Sequence, residues 1–289
     1  MGEEDQRAVV IDTGSHTVKA GFSGDDVPLA VCRSIVGRSK HKCRLRVGCE
    51  IKDVYVGEEA LANQQKEELY LKYPVKDGQV ATENLGGGRF VPLWEDLERL
   101  WYHVFYHKLR VPPEEHPVLL TEALAISKAY REKTAQIMFE HFTVPALYLK
   151  SQSTLSMFAY GSTNGIVLDS GATSSCVTPI YDGDAVCAVN AIQRIKVGGY
   201  HLTEYMMRLL SSGGFSFSTM AEREIARDIK EKLAHVTLDY EADKKAGKES
   251  SRGEKSYKLP DGKEIKIGDA SFDCPEVRCK FEDECECKG

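Results

Sequence analysis

The chain has 289 residues, more than the roughly 100 to 200 of a typical single domain, so we expect two lobes. Hydrophobic residues make up 42% of it and charged residues 28%, which excludes fibrous, collagen-like and wholly disordered proteins. The 38 basic and 44 acidic residues give a net charge of −6, and this balance lacks the basic footprint of a nucleic-acid-binding protein.

Neither a membrane nor a secretory context is expected. No apolar stretch approaches the roughly 18 residues that a membrane-spanning helix needs. The first six residues are polar and acidic, unlike a secretory signal. The nine cysteines are an odd number and no Asn-x-Ser/Thr acceptor occurs, which favours a reduced, cytoplasmic protein.

Apolar runs and turn residues alternate through the first half of the chain. Strands are predicted at 8–11, 17–22, 116–121 and 146–149. Helices are predicted at 58–70, 94–109 and 127–141, with a glycine-rich loop at 80–93. This alternation is typical of α/β architecture.

The second half repeats the pattern and then becomes polar. A helix is predicted at 151–160, and strands at 165–168 and 176–180 flank a second tight turn. A capping box at Thr219 opens a helix whose apolar face carries Ile225, Ile229, Leu233 and Val236. Residues 241–256 read as a solvated loop.

The most informative feature is an internal repeat. One apolar strand ends in Asp-Thr-Gly-Ser at 12–15 and another in Asp-Ser-Gly-Ala at 169–172. Paired turns of this kind occur in two chemistries. They carry the two catalytic carboxyls of aspartic proteases, or they form a clamp for phosphates and a hydrated Mg²⁺. The many helices, and Lys19 close to the first turn, favour the phosphate clamp.

Longer stretches resemble the actin family. The likeness covers about residues 7–275 and is carried by 12–26 (DTGSHTVKAGFSGDD), 34–38, 55–57, 71–74, 109–122, 131–140, 165–171 and 221–233. It implies the two-lobed α/β fold of actin, sugar kinases and Hsp70-type ATPases, with an incomplete second lobe. The implied divisions are 1–152 (a small subdomain at about 36–80, a divergent insertion at about 80–93), 153–275, and a Cys-rich tail, 276–289.

The resemblance also implies a site for ATP or ADP with Mg²⁺ or Ca²⁺ between the lobes. Asp12 and Asp169 would hold the metal through waters, and Gln152 would help to position the attacking water. The residues implied around the nucleotide are Gly14, Ser15 and His16 (β-phosphate), Gly171, Ala172 and Thr173 (γ-phosphate), Lys19 (phosphates), and Gly199, Lys230 and Glu231 (ribose and adenine). Lys230 and Glu231 have a second reading, as part of a solvated helix face.

Departures from the family pattern fall on this chemistry. Thr13 and His16 stand where the family has Asn and Gly, and Ala172, Thr173 and Cys176 stand where it has Asp, Gly and His. Loss of that imidazole removes a candidate proton relay, so we expect slow or absent hydrolysis. The basic loop 40–49 replaces a mostly apolar subunit contact, which disfavours the original partner.

We therefore expect an actin-like cytoskeletal protein that binds ATP and Mg²⁺ and assembles into filaments, with weak or absent ATP hydrolysis. The alternative is a non-polymerising interaction protein without a nucleotide cycle. A truncated product without activity and an aspartic protease are more distant readings. Expected partners are actin-binding proteins, actin, further copies of the chain or a chaperone, and neither nucleic acid nor membrane.

Overall fold

The computed structural model describes residues 7–39, 53–63, 69–84, 88–124, 126–186, 191–212, 214–215, 219–249, 255–259 and 262–280. The chain divides into two compact units. Unit 1 comprises Met1–Ala172 with Cys176–Arg194, and unit 2 comprises Thr173–Ser175 with Ile195–Gly289.

The elements of the first third of the chain are mostly short strands. In chain order they are β1 (Val9–Thr13), β2 (Thr17–Phe22), β3 (Ala30–Arg33), β4 (Val36–Ser39), β5 (Val54–Val56), α1 (Glu58–Asn63), β6 (Leu69–Lys72), β7 (Val75–Lys76), β8 (Gln79–Val80), β9 (Thr82–Asn84) and β10 (Phe90–Pro92).

Helices and strands alternate in the middle of the chain. The order is α2 (Trp94–Tyr102) continued by a π-helical turn (His103–Leu109), a 3₁₀ turn (Pro113–Glu115), β11 (Val118–Glu122), α3 (Lys128–Gln136) continued by a second π-helical turn (Ile137–His141), β12 (Leu147–Ser151), α4 (Gln152–Ala159), β13 (Gly165–Ser170), β14 (Ser175–Tyr181), β15 (Asp184–Ala185) and β16 (Gln193–Ile195).

The last third is mainly helical. Its elements are α5 (Gly199–Ser212), α6 (Met220–Leu233), α7 (Tyr240–Glu249), β17 (Ser256–Lys258), β18 (Glu264–Lys266) and α8 (Ala270–Lys280).

The main sheet of unit 1 has the strand order β12-β11-β1-β2-β3. Strands β1, β11 and β12 run parallel, with Val9 opposite Val118 and Val118 opposite Leu147. Strands β1, β2 and β3 form an antiparallel meander. The carboxyl ends of the three parallel strands therefore lie at one edge, where ligands of α/β sheets usually bind.

The core of unit 1 forms between this sheet and the α2 segment. Val9 and Ile11 are fully buried, as the period-two pattern of a half-buried strand requires. The buried side chains of α2 and its π-helical turn are Asp96, Leu97, Leu100, Trp101, Val104, Phe105 and Leu109. The predicted helix at 94–109 is confirmed, and its apolar face is the one that packs in the core.

Two predictions for the region before α2 are wrong. Of the predicted helix at 58–70, Glu58–Asn63 is helical as α1, whereas Leu69–Lys72 pairs with β4 as strand β6. Residues 64–68 lie outside the described part of the chain. The predicted loop at 80–93 contains the β9–β10 hairpin, with Phe90 opposite Asn84. Both errors concern short segments that gain stability from a strand partner, which local sequence does not show.

Strands β13, β14 and β15 form a second sheet, in which β16 also pairs with β14. Helix α4 packs on β13. The Lys150 ammonium bonds Asp184 at 2.6 Å, and the Ser153 hydroxyl lies 3.3 Å from that of Thr178. These links cluster the second sheet with unit 1. The predicted lobes, 1–152 and 153–275, stay a prediction.

Unit 2 is built around α5, α6, α8 and the β17–β18 hairpin. Met206, Leu210, Ile229, Ile265 and Cys274 are the most buried members of its core. The predicted capping box opens α6, since Thr219 and Glu222 bond each other's backbone N–H groups. Helix α6 ends at Leu233, so Val236 lies beyond it and is 68% exposed, contrary to the predicted helix face.

The predicted loop at 241–256 is also wrong, because Tyr240–Glu249 forms α7. The Asp239 carboxylate accepts from the Ala242 N–H at 3.0 Å, which caps the first turn. The Tyr240 hydroxyl donates to Asp273 of α8 at 2.7 Å. The basic loop 40–49 and most of the predicted tail lie outside the described residues. Within the described part, no helix is long and apolar enough to cross a membrane.

Candidate functional site

The Asp12 carboxylate is the best-positioned polar group at the carboxyl edge of the main sheet. The Thr121 hydroxyl donates to its Oδ1 at 2.6 Å, and the Gln152 side-chain amide donates to the same oxygen at 2.7 Å. Its Oδ2 accepts from the Lys19 ammonium at 3.3 Å. Three donors from separate parts of the chain thus fix the direction of one carboxylate.

The fold explains why these residues meet. Asp12 lies at the end of β1, Thr121 at the end of β11, and Gln152 directly after β12. Parallel strands bring their carboxyl ends to one edge, so residues 109 and 140 positions from Asp12 become its neighbours. The Ser151 hydroxyl accepts from the Thr154 N–H at 3.2 Å, which starts α4 and fixes Gln152 in its first turn.

The first turn, residues 13–16, is closed by its own hydrogen bond. The Gly14 N–H donates to the Thr17 carbonyl at 3.1 Å, so this donor has a partner within its own turn. A Cβ atom at residue 14 would lie 2.9 Å from that carbonyl oxygen, which explains the glycine. The Thr13 hydroxyl accepts from the Trp101 indole at 3.1 Å and so faces the core.

The His16 side chain contacts Arg33, a residue that was not among the predicted site residues. The His16 Nε2 lies 2.5 Å from a guanidinium nitrogen of Arg33. Since a guanidinium group only donates, Nε2 accepts and carries no proton. The backbone N–H of Arg33 donates to the Glu58 carboxylate at 3.1 Å. The turn therefore has a cationic neighbour in Arg33 as well as in Lys19, which the strand pairing of Thr17 with Arg33 could have indicated.

The second turn, residues 169–174, is more exposed than the first. Asp169 and Gly171 are exposed, Ala172 is half-buried and Thr173 is 8% exposed. Within the described part of the chain, the Asp169 carboxylate makes no hydrogen bond or ion pair, in contrast to Asp12. The Cys176 sulfur lies 3.6 Å from the Thr178 hydroxyl.

The different surroundings of Asp12 and Asp169 bear on the hypothesis of an aspartic protease. An aspartic protease needs two carboxyls in contact, sharing a proton. The described partners of the Asp12 carboxylate are a hydroxyl, an amide and an ammonium group. The geometry of a shared-proton dyad is thus not formed at this site.

In unit 2, Gly199 and Lys230 are brought together. The Lys230 ammonium donates to the Gly199 carbonyl at 2.8 Å and to the Thr203 hydroxyl at 3.0 Å. Burial lowers the pKa of Lys230, because a cation is costly to remove from water. Lys230 therefore ties α6 to the first turn of α5, and the solvated-face reading does not apply to it. Glu231 bonds Arg227 at 2.7 Å on an exposed face, as that reading expected.

The residues at Asp12 fit a hydrated Mg²⁺ better than a metal held by protein alone. Among the described residues, no group of three or more His, Cys, Asp or Glu side chains could hold an ion. Mg²⁺ keeps several waters and binds through one or two carboxylates plus substrate phosphates. The Asp12 carboxylate supplies one such ligand, and the Lys19 ammonium beside it is suited to phosphate oxygens.

Cys274, which precedes the Cys-rich tail, belongs to the core of unit 2. Cys274 is fully buried and donates to the Leu202 carbonyl at 3.3 Å. Burial raises its pKa to about 11, so it remains a neutral thiol. Cys285 and Cys287 lie outside the described residues.

Comparison with known protein families gives one match that covers nearly the whole chain. The family model described as Actin matches residues 3–285, which includes both turns, the main sheet and the described parts of unit 2.

Proposed function

The chain belongs to the actin family, and we propose that it is an actin-like cytoskeletal protein that binds ATP together with Mg²⁺ at the Asp12 turn. The observation that carries this proposal is the Asp12 carboxylate, held by Thr121 and Gln152 at the carboxyl edge of a parallel sheet. An oriented carboxylate at this edge is well placed to meet the hydrated metal of a bound nucleotide.

The residues around Asp12 have separable roles in this proposal. Asp12 binds metal-bound waters, and Lys19 and Arg33 offset the negative charge of the phosphates. Bound Mg²⁺ would neutralise charge that develops on the phosphate oxygens. Gln152 is fixed by Asp12 and orients water at the same edge. Asp169, Gly171, Ala172 and Thr173 remain a proposed second set of phosphate and metal contacts, and Gly199, Lys230 and Glu231 a proposed set for ribose and adenine.

We expect hydrolysis to be weak or absent. Cys176 replaces a histidine of the family pattern, and its sulfur lies 3.6 Å from the Thr178 hydroxyl. A thiol in place of an imidazole offers a poorer general base near neutral pH. Release of inorganic phosphate from ATP over hours, compared with a blank, measures this directly.

The first experiment is calorimetric titration of the full chain with ATP, in the presence of Mg²⁺ and again with the metal chelated. We expect Mg²⁺-dependent binding. Asp12→Asn keeps the shape but removes the charge that attracts the metal, so the affinity with Mg²⁺ should fall by about tenfold or more. Asp26→Asn, at an exposed aspartate outside the turn, is the matched control and should bind as the unmodified chain does.

Two results would contradict the proposal. One is an unchanged Mg²⁺-dependent affinity in folded Asp12→Asn. The other is no binding by the unmodified chain, when tryptophan fluorescence shows that it is folded.

The second result would favour the alternative, a non-polymerising interaction protein without a nucleotide cycle. Two observations support that alternative: the Gly14 N–H is used within its own turn, and the His16 ring lies against Arg33. The first occupies a backbone donor that a phosphate would need, and the second holds the His16 ring by a side-chain contact. Sedimentation with Mg²⁺ and salt separates the two functions further, because only the first predicts assembly with copies of the chain or with actin.

A further inference from the structure

A small cavity of unit 1 lies next to the Asp12 carboxylate, because two donors to that carboxylate, Thr121 and Gln152, both line it. The cavity has about 20 Å³ of room for the centre of a water molecule. One water needs roughly 10 to 15 Å³ by this measure, together with two or more polar partners. The polar residues of the lining are Thr13, Thr121, Glu122, Tyr130, Thr134 and Gln152.

The Thr134 hydroxyl is a buried polar group without a partner in the described part of the chain. Thr134 lies on α3 and is 3% exposed, and its hydroxyl makes no hydrogen bond to a described residue. Burying a hydroxyl without a hydrogen bond costs free energy. Such groups in folded proteins are therefore nearly always satisfied, by protein or by an ordered water.

The Gln152 side chain presents an acceptor at the same place. Its amide nitrogen donates to the Asp12 carboxylate at 2.7 Å. Since a carboxylate only accepts, the nitrogen of the amide faces Asp12 and the oxygen lies on the other side of the amide group. Within the described residues this oxygen accepts no hydrogen bond, although Gln152 is half-buried.

Most other polar groups of the lining are already in use. The Thr121 hydroxyl donates to Asp12, and the Thr13 hydroxyl accepts from Trp101. The Glu122 carboxylate is bound by Arg131 through both of its oxygens.

The Tyr130 hydroxyl adds a second donor to the lining. Burial, and then the nearby Glu122 carboxylate, raise the pKa of Tyr130 to about 12, so its hydroxyl keeps the proton. The Thr134 and Tyr130 hydroxyls and the Gln152 oxygen thus offer two donors and one acceptor, which together match the hydrogen-bonding capacity of a water molecule.

One wall of the cavity is made by backbone segments in close contact. Gly78, in the turn between β7 and β8, has a φ of +71°, and a Cβ atom there would lie 2.2 Å from the Cβ of Ala123. Both residues line the cavity, and Ala123 directly follows β11. This close approach gives the cavity a fixed shape, which favours a resident molecule over collapse of a side chain into the space.

We propose that the cavity holds one resident water, which accepts from the Thr134 hydroxyl and donates to the side-chain oxygen of Gln152. Thr134 is then a positioning residue for Gln152, because the water holds the oxygen of the amide and leaves its nitrogen toward Asp12. Neither the water nor the direction of Gln152 needs a nucleotide. The use of Gln152 toward bound ATP rests on the proposed function.

Thr134→Val tests whether the hydroxyl has a partner, because valine keeps the size and the branching but not the hydroxyl. If a water binds the hydroxyl, the variant loses a hydrogen bond, and the midpoint of guanidinium unfolding should fall. If the hydroxyl had no partner, removal of an uncompensated buried polar group would raise the midpoint. A higher midpoint for Thr134→Val would therefore overturn the proposal.

The number of internal waters gives an independent measurement. Oxygen-17 magnetic relaxation dispersion counts water molecules that stay bound while the protein tumbles. We expect one fewer in Thr134→Val than in the unmodified chain. Thr134→Ser keeps the hydroxyl and is the matched control, so it should retain the full number. Equal numbers in all three proteins would contradict a resident water at Thr134.

Nuclear magnetic resonance of the nucleotide-free chain tests the positioning of Gln152. The side-chain amide signals of Gln152 are identified by their loss in Gln152→Glu. In Thr134→Val these signals should shift and exchange faster with solvent, whereas Thr134→Ser should leave them nearly unchanged. Unaltered signals in Thr134→Val would show that Thr134 does not position Gln152. If all three results held and ATP did not bind, the proposed function would fail and the water site would stand.

Discussion

Glu122 and Arg131 form an ion pair beside the candidate site. The Glu122 carboxylate of this pair is almost fully buried. The Glu122 side chain is 5% exposed, and the Arg131 guanidinium binds both of its carboxylate oxygens. The hydrogen bond to Glu122 raises the pKa of Arg131 further, so the arginine stays charged. The pair joins the end of β11 to α3, directly after Thr121.

Arg131→Met should destabilise unit 1 by about 2 to 3 kcal/mol at neutral pH. The methionine keeps much of the aliphatic stem but leaves the buried Glu122 carboxylate without its charged donor. Guanidinium unfolding followed by tryptophan fluorescence measures the effect, since both tryptophans, Trp94 and Trp101, lie in unit 1.

The matched control is the double variant Arg131→Met with Glu122→Gln. Removing the buried charge should recover part of the lost stability, because an amide costs less to bury than an unpaired carboxylate. If the double variant were less stable than Arg131→Met, the single variant would act through packing and not through the stranded charge.

At the level of elements, the start of α6 is specified locally. The Thr219 hydroxyl accepts from the Glu222 N–H at 3.2 Å, and the Glu222 carboxylate accepts from the Thr219 N–H at 2.7 Å. Lys230 then fixes the far end of α6 to the first turn of α5. The helix is therefore held by a local cap at one end and by a tertiary hydrogen bond near the other.

Thr219→Ala should destabilise the first turn of α6 by about 1 kcal/mol, since it removes the side-chain acceptor of the capping box. Hydrogen exchange of the amides of residues 221–224 should become faster than in the unmodified chain. Thr219→Ser keeps the hydroxyl and should leave the exchange rates nearly unchanged. Equal acceleration in both variants would show that the threonine acts through its methyl group.

At the level of the whole molecule, we expect a half-buried histidine of unit 1, His103, to make stability sensitive to acid. Burial, and then the nearby Lys108, lower the pKa of His103 to about 4 from the usual 6.5. Between pH 4 and pH 6.5, His103 binds a proton in the unfolded chain but stays neutral in the folded chain. The free energy of unfolding should therefore fall as the pH drops from about 6.5 to about 4.

His103→Gln should remove this part of the acid sensitivity. Because His103 is only partly buried, solvent screening limits the expected difference to about 1 to 2 kcal/mol at the acid end. Guanidinium unfolding of unit 1 at several pH values is followed by tryptophan fluorescence. It gives the slope of the free energy of unfolding against pH for the variant and for the unmodified chain. His235→Gln, in unit 2, should retain the slope of the unmodified chain, and parallel slopes for His103→Gln would exclude His103 as the cause.

Local sequence alone determined several elements of this protein. The β1–β2 hairpin, the helix at 94–109, the cap of α6 and the repeated Asp-Gly turns follow from periodicity, capping residues and glycine, which act within a few residues. The family was predicted from the same stretches, and the match over residues 3–285 confirms it. The position of Asp12 at a strand end was predicted in the same way.

Tertiary structure decided the rest, because it depends on partners that are distant in the sequence. Strand β6 and the β9–β10 hairpin need a paired strand, and α7 is held by the contact of Tyr240 with Asp273. Thr121 and Arg33 join the candidate site only through strand pairing. The burial of Val9 and the exposure of Ile166 arise from similar sequences, since a neighbouring strand and helix decide which apolar face meets water.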